Sequence, residues 1–114
     1  MSSILNDIKT LLGILPEYPY FDSAIIIHIN TVMSVLEQLG CPKFSISGTT
    51  ETWNSYLGSD DRLELIKTYI YIKVRKVFDP PASSNVLNAL EETAKELEWR
   101  INSKVDYETE EPNV

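Results

Sequence analysis

Apolar residues recur along this chain at helical spacing in four separate stretches, and polar punctuation divides them. Ile4, Ile8, Leu11 and Leu15 share one face, with Ser2 or Ser3 placed to cap and Gly13 to stop a first helix through about Leu12. Pro16-Glu17-Tyr18-Pro19-Tyr20 reads as a turn-forming linker. From Asp22 to Leu39 the chain is apolar over most of a helix circumference, with Ile25, Ile29, Val32, Leu36 and Leu39 in one row and Ile26, Met33 and Val35 widening it. Asp22 is the expected N-cap, and Phe21 is expected to staple against Ile26. Gly40-Cys41-Pro42 ends that helix.

Phe44 to Gly58 has no helical stripe. Phe44-Ser45-Ile46-Ser47 alternates until Gly48, which predicts a short strand, extended arm or hairpin, with Thr49–Tyr56 irregular or a single helical turn. A third helix follows from a cap at Ser59 or Asp60. It carries the rows Leu63, Ile66, Ile70, Val74, Val77 and Leu65, Tyr69, Ile72. Lys73 projects within about 20° of Ile66, inside the apolar stripe, and is expected to snorkel or to pair with an acid of the fourth helix or of a neighbouring subunit. Arg75 lies opposite the stripe. Phe78-Asp79-Pro80-Pro81 cannot continue a helix, because proline removes donors and constrains the residue before it. Ser83 or Ser84 then caps a fourth helix to about Asn102, with the row Val86, Leu90, Ala94, Leu97, Ile101 and the pairs Glu91–Lys95 and Glu96–Arg100. Trp99 projects away from that row and needs cover from the first helix, the tail or another chain.

The pattern predicts an all-α fold: a compact bundle of four main helices, with a short extended arm or hairpin between the second and third. At 114 residues it is one domain; we place it at 1–102, followed by an acidic, flexible tail at 103–114. The net charge of −7 is uneven: −5 over residues 1–61, +3 over 62–79 and −5 over 80–114. That distribution argues against a broad nucleic-acid grip, which needs clustered Lys and Arg. It suggests charge pairing within or between subunits. One cysteine, Cys41, permits no intrachain disulfide and suits a reducing compartment. The start MSSILNDIKTLLGIL has no basic n-region, so neither a secretory signal nor a membrane span is expected.

Candidate chemistry is sparse. The sole histidine, His28, sits mid-helix, and one His with one Cys builds no typical zinc site. Phosphate-binding and nucleophile-elbow glycine motifs are absent. We therefore expect no catalytic, metal or cofactor residues and no enzyme. The residues with potential for partner contact are Phe44, Ile46, Trp53, Tyr56, Lys73, Arg75 and Trp99; for the loop aromatics, folding back over the core is an equal expectation.

Three segments carry a resemblance: Phe21-Asp22 through Ile25-Ile26 to His28-Ile29-Asn30; Lys67-Thr68-Tyr69-Ile70-Tyr71-Ile72-Lys73-Val74-Arg75 on to Phe78-Asp79-Pro80-Pro81 and Ser83-Ser84; and Glu96-Leu97-Glu98-Trp99-Arg100-Ile101-Asn102. They resemble the small head–tail connector, or adaptor, proteins of tailed bacteriophages, over nearly the whole chain except the tail. The resemblance implies a helical bundle that assembles in the host cytoplasm into a closed homo-oligomeric ring, commonly of twelve copies, under the portal. Such a ring extends the DNA channel without sequence-specific binding, becomes part of the virion, and offers a platform to a tail or stopper protein. Two other readings compete: a nucleic-acid-binding protein using Arg62, Lys67, Lys73, Arg75 and Lys76 of the basic third helix, and a generic protein-interaction domain.

Overall fold

A computed structural model describes the backbone of residues 3–110 and the side chains of residues 3–102. Five helices follow in order: α1 (Ile4–Leu11), α2 (Asp22–Gln38), α3 (Trp53–Leu57), α4 (Leu63–Phe78) and α5 (Ser84–Glu110). The four long ones match the expected helices, and the fold is an all-α bundle. No strand forms among the described residues; the one β-bridge, Ser3 to Thr52, ties the start of α1 to the loop before α3.

The helix ends follow from local chemistry. Ser3 caps α1, its hydroxyl accepting from the Asn6 amide at 3.0 Å. Gly13 and Gly40, just past α1 and α2, take positive φ of 84° and 101°, the left-handed turn that glycine adopts at least cost. The short α3 is held by a reciprocal cap in which Thr52 and Ser55 each satisfy the other's backbone amide. Ser83 caps α5 weakly, through a 3.4 Å bond from Val86 N.

Three expected boundaries differ. α4 begins at Leu63 with Arg62, not Ser59 or Asp60, at the cap position and no side-chain cap hydrogen bond. Asp22 is the first residue of α2 rather than its cap, and Phe21 occupies the cap position without a side-chain hydrogen bond. The Asp22 carboxylate is drawn instead to the ammonium of Lys9, 2.7 Å away. Phe21 packs edge-on against Phe78, centroids 5.3 Å apart. At the other end, α5 continues to Glu110, past the expected stop near Asn102; neither glycine nor proline interrupts the chain before Pro112. Of the tail expected at 103–114, residues 111–114 lie outside the described residues.

α4 is the centre of the bundle. It packs against both α2 and α5, which scarcely touch one another, while α1 fills the angle between α2 and α4. Both apolar rows of α4 are used: Ile66, Ile70 and Val74 are buried on one side, Tyr69 and Ile72 on the other. α2 contributes Ile25, Ile29, Met33 and Leu36, and α5 contributes Ala94, Leu97 and Ile101. Each such aliphatic side chain is worth roughly 1.5–3 kcal/mol in transfer from water.

Candidate assembly surface

The arm expected between the second and third helices is extended and has no partner strand. The Asn30 amide takes that role. Its Nδ2 donates to the Ile46 carbonyl at 3.0 Å, and its Oδ1 accepts from the Ile46 amide at 2.8 Å. One side chain of α2 thus satisfies both backbone groups of Ile46, as a neighbouring strand would. Ile46 turns into the core, and Phe44, half-buried, stacks on Tyr56 with centroids 4.9 Å apart.

Trp53 is only 5% exposed. Its indole N–H donates to Asp7 Oδ2 at 2.7 Å, and the Lys67 ammonium lies over its ring at 5.4 Å and 3.6 Å from the same carboxylate. The two tendencies that point tryptophan at a partner, a large apolar face and a donor in need of an acceptor, are both answered inside the chain. Ile46, Trp53 and Tyr56 are therefore core residues of the subunit rather than surface ones. Burial pushes the Tyr56 hydroxyl well above the usual tyrosine range, with Cys41 adding to it.

The basic residues of α4 and its cap are also engaged. The Arg62 guanidinium meets Asp60 at 2.7 Å and reaches the Ile101 carbonyl of α5 at 3.4 Å. Lys76 lies 3.6 Å from Glu91, which takes that glutamate away from the expected pairing with Lys95. The Glu96–Arg100 pair forms as expected, at 2.8 Å. Lys73, half-buried, places its ammonium over the Tyr69 ring at 5.9 Å instead of pairing with a carboxylate among the described residues. Arg75 is not fully solvated: it donates to the Tyr71 hydroxyl at 2.9 Å. Tyr69, fully buried, donates its hydroxyl to Glu98 at 2.7 Å; burial first, and that carboxylate second, raise its pKa.

Two features escape sequence periodicity. Lys9 is fully buried on α1. Its ammonium donates to the carbonyls of Pro16 at 2.8 Å and Tyr18 at 2.7 Å, and sits in ion-pair contact with Asp22. This clasp folds the linker back on α1 and presents an aromatic run: Tyr18 tilts against Tyr20 and Phe21, and Phe21 meets Phe78. No periodic signal marks Lys9, which falls off the Ile4, Ile8, Leu11, Leu15 row. The second feature is the outer face of α2, where Ile27 stands 62% exposed.

Trp99 is 69% exposed on α5, opposite the core row, and no described residue covers it. Of the seven residues singled out from the sequence, it alone presents a large apolar surface. The seven are not brought to one place: Phe44, Ile46, Trp53 and Tyr56 cluster around the arm and α3, Lys73 faces the α4–α5 seam, Arg75 borders α1, and Trp99 stands on the far side of α5. Among the described residues there is no cluster of His, Cys, Asp or Glu that could hold a metal ion, and no helix is long and apolar enough to cross a membrane.

A profile of the family described as phage connector protein matches residues 4–108. The chain belongs to the phage connector protein family. No curated protein and no solved structure matches it. The match spans α1 to the last turns of α5, so every element described above is inside the connector unit. Membership brings a structural role in joining phage head to tail, a place in the virion and contacts with other head or tail proteins.

Proposed function

We propose that this connector is the repeating subunit of a ring that sits under the portal, extends the DNA channel and carries the docking platform for a tail or stopper protein. A ring of twelve copies follows from the resemblance set out above. The observation that carries this reading is the family match over residues 4–108. The physical features support it. A closed ring needs two different faces on each subunit, complementary to one another, and the subunit carries exposed apolar surface on more than one side: Trp99 on α5, and Tyr20 and Ile27 on and before α2.

The nucleic-acid-binding reading loses its main support. Arg62, Lys67, Lys73, Arg75 and Lys76 each contact a carboxylate, a carbonyl, a ring or a hydroxyl of this chain. They do not form a shared phosphate-binding stripe of the kind that releases counterions from DNA. With a net charge of −7 on every subunit, the ring lets DNA pass without holding it. Native mass spectrometry of the protein mixed with its cognate portal tests the proposal: a complex with a fixed number of copies per portal is expected, and the absence of any complex would remove it.

A further inference from the structure

The contact that joins one connector subunit to the next can be located from two surfaces that no described residue covers. The first is the outer face of α2. Ala24, Ile27, Thr31, Ser34 and Gln38 lie on the side of α2 away from its core row, Val35 borders them on the flank, and all six are exposed. From Ser23 to Leu36 the helix carries no Asp, Glu, Lys or Arg. Four turns of exposed helix without a charged residue are unusual on a chain whose overall charged content is 24%, because exposed helix faces are normally polar and charged. The Thr31 hydroxyl donates back to the Ile27 carbonyl at 2.9 Å, which satisfies its donor locally and makes that surface more apolar still.

The second surface is centred on Trp99. It differs from the first in every respect that matters for matching. It is one large ring standing proud, surrounded by Glu92, Lys95, Glu96 and Arg100, whose charges balance and of which Glu96 and Arg100 already pair with each other. A balanced rim can close over an uncharged helix without leaving one sign of charge buried and unpaired. Ala24, Thr31 and Ser34 are smaller than Ile27 and Gln38 beside them, so this face is uneven in the way that lets a projecting side chain of another helix seat between ridges.

The placement of the two surfaces completes the argument. α4 lies between α2 and α5, so the two faces are on different flanks of the bundle and a single chain cannot bring them together. Two copies joined through them meet head to tail, and each leaves one face free for the next copy. That is the heterologous contact that closes into a ring or runs on as a filament. We infer that Trp99 on α5 of one connector subunit packs into the uncharged outer face of α2, around Thr31, of its neighbour, and that this contact propagates the ring. The inference rests on the ring reading above and names the surfaces that reading leaves open.

Crosslinking tests it, with Cys41→Ala as the background so that only introduced thiols react. Thr31→Cys and Glu96→Cys are both at exposed positions, and Glu96 lies one turn from Trp99. On the cognate portal, the two single variants mixed together should give crosslinked dimers with a short bismaleimide, and each variant alone should give none. The double variant should give a ladder of oligomers. Adding Trp99→Ala should reduce the ladder at least tenfold while leaving the melting temperature of the free chain unchanged. Self-crosslinking of either single variant, or portal-bound rings seen by electron microscopy without crosslinks, would overturn this contact and leave the ring reading in place. No rings on the portal, with no crosslinks, would overturn both.

Discussion

Lys9 shows how much one polar side chain can organise. Its ammonium is out of contact with solvent and is matched by two carbonyls and one carboxylate. Lys9→Met keeps the stem and removes the charge, leaving the carbonyls of Pro16 and Tyr18 without that donor. Asp22 is partly exposed and recovers some hydration. We expect a loss of about 2–3 kcal/mol in urea unfolding, with the tyrosines of the linker becoming more accessible to iodination. Tyr69 makes a second residue-scale case. Its folded pKa lies above the ordinary value of 10.0, as does that of Tyr56, because burial favours the neutral hydroxyl. A raised folded pKa means that stability is fully present below the unfolded value and is lost as pH rises above it. Unfolding free energy should therefore fall above about pH 10, by up to about 1.4 kcal/mol per pH unit for each such tyrosine. Tyr69→Phe should cost about 1–2 kcal/mol at pH 7 and make the alkaline fall less steep; an unchanged slope would show that Tyr69 is not held neutral by the fold. Neither residue was legible as special in the sequence. Periodicity reports which face a residue occupies, whereas Lys9 and Tyr69 depend on the group opposite them, as does the Trp53–Asp7 bond across 46 positions.

The elements themselves were far more legible, because each rests on short-range signals that agree with one another. Apolar rows, capping residues and the Pro80-Pro81 stop mark the long helices to within a few residues, the C-terminal end of α5 excepted. The single-turn α3 was one of two alternatives, and the Thr52/Ser55 cap decides for it. The arm was less legible. Alternation at Phe44–Ser47 reads as a strand, but a strand needs a neighbour, and the neighbour proves to be the side chain of Asn30. In sequence Asn30 is only a polar residue on an apolar helix. Its role gives an element-scale prediction. Asn30→Leu removes both bonds to Ile46, and hydrogen exchange should show the Ile46 amide losing protection while amides in α4 keep theirs. The expected cost is about 1–3 kcal/mol. Retained protection at Ile46 would mean that the arm is held by Phe44–Tyr56 stacking and burial alone. The end of α5 was misjudged for a related reason: an acidic run suggests solvation and disorder, yet none of its residues forbids a helix, and the backbone stays helical to Glu110.

At the scale of the whole molecule, charge and apolar surface are distributed in opposite ways. The cations of the middle segment make contacts within the subunit, so the basic helix takes part in the monomer's own fold. Apolar surface is left over instead, at Trp99, along α2 and at the aromatic end around Tyr20. Exposed apolar side chains of this extent on a small domain are the kind of surface that marks contact sites, in keeping with the structural role of the phage connector family. The segment from Lys67 to Ser84 is the frame of the subunit: α4 packs against both α2 and α5, and the Asp79-Pro80-Pro81 corner turns the chain from α4 into α5. Reading the residues singly did not show that Ile46, Trp53 and Tyr56 are buried within the subunit, because their burial depends on a loop path that no local pattern encodes. The most direct test of the account is electron microscopy of the cognate portal incubated with the full chain. We predict a closed ring of density added beneath the portal, coaxial with its channel; a portal left bare at saturating protein would contradict the account.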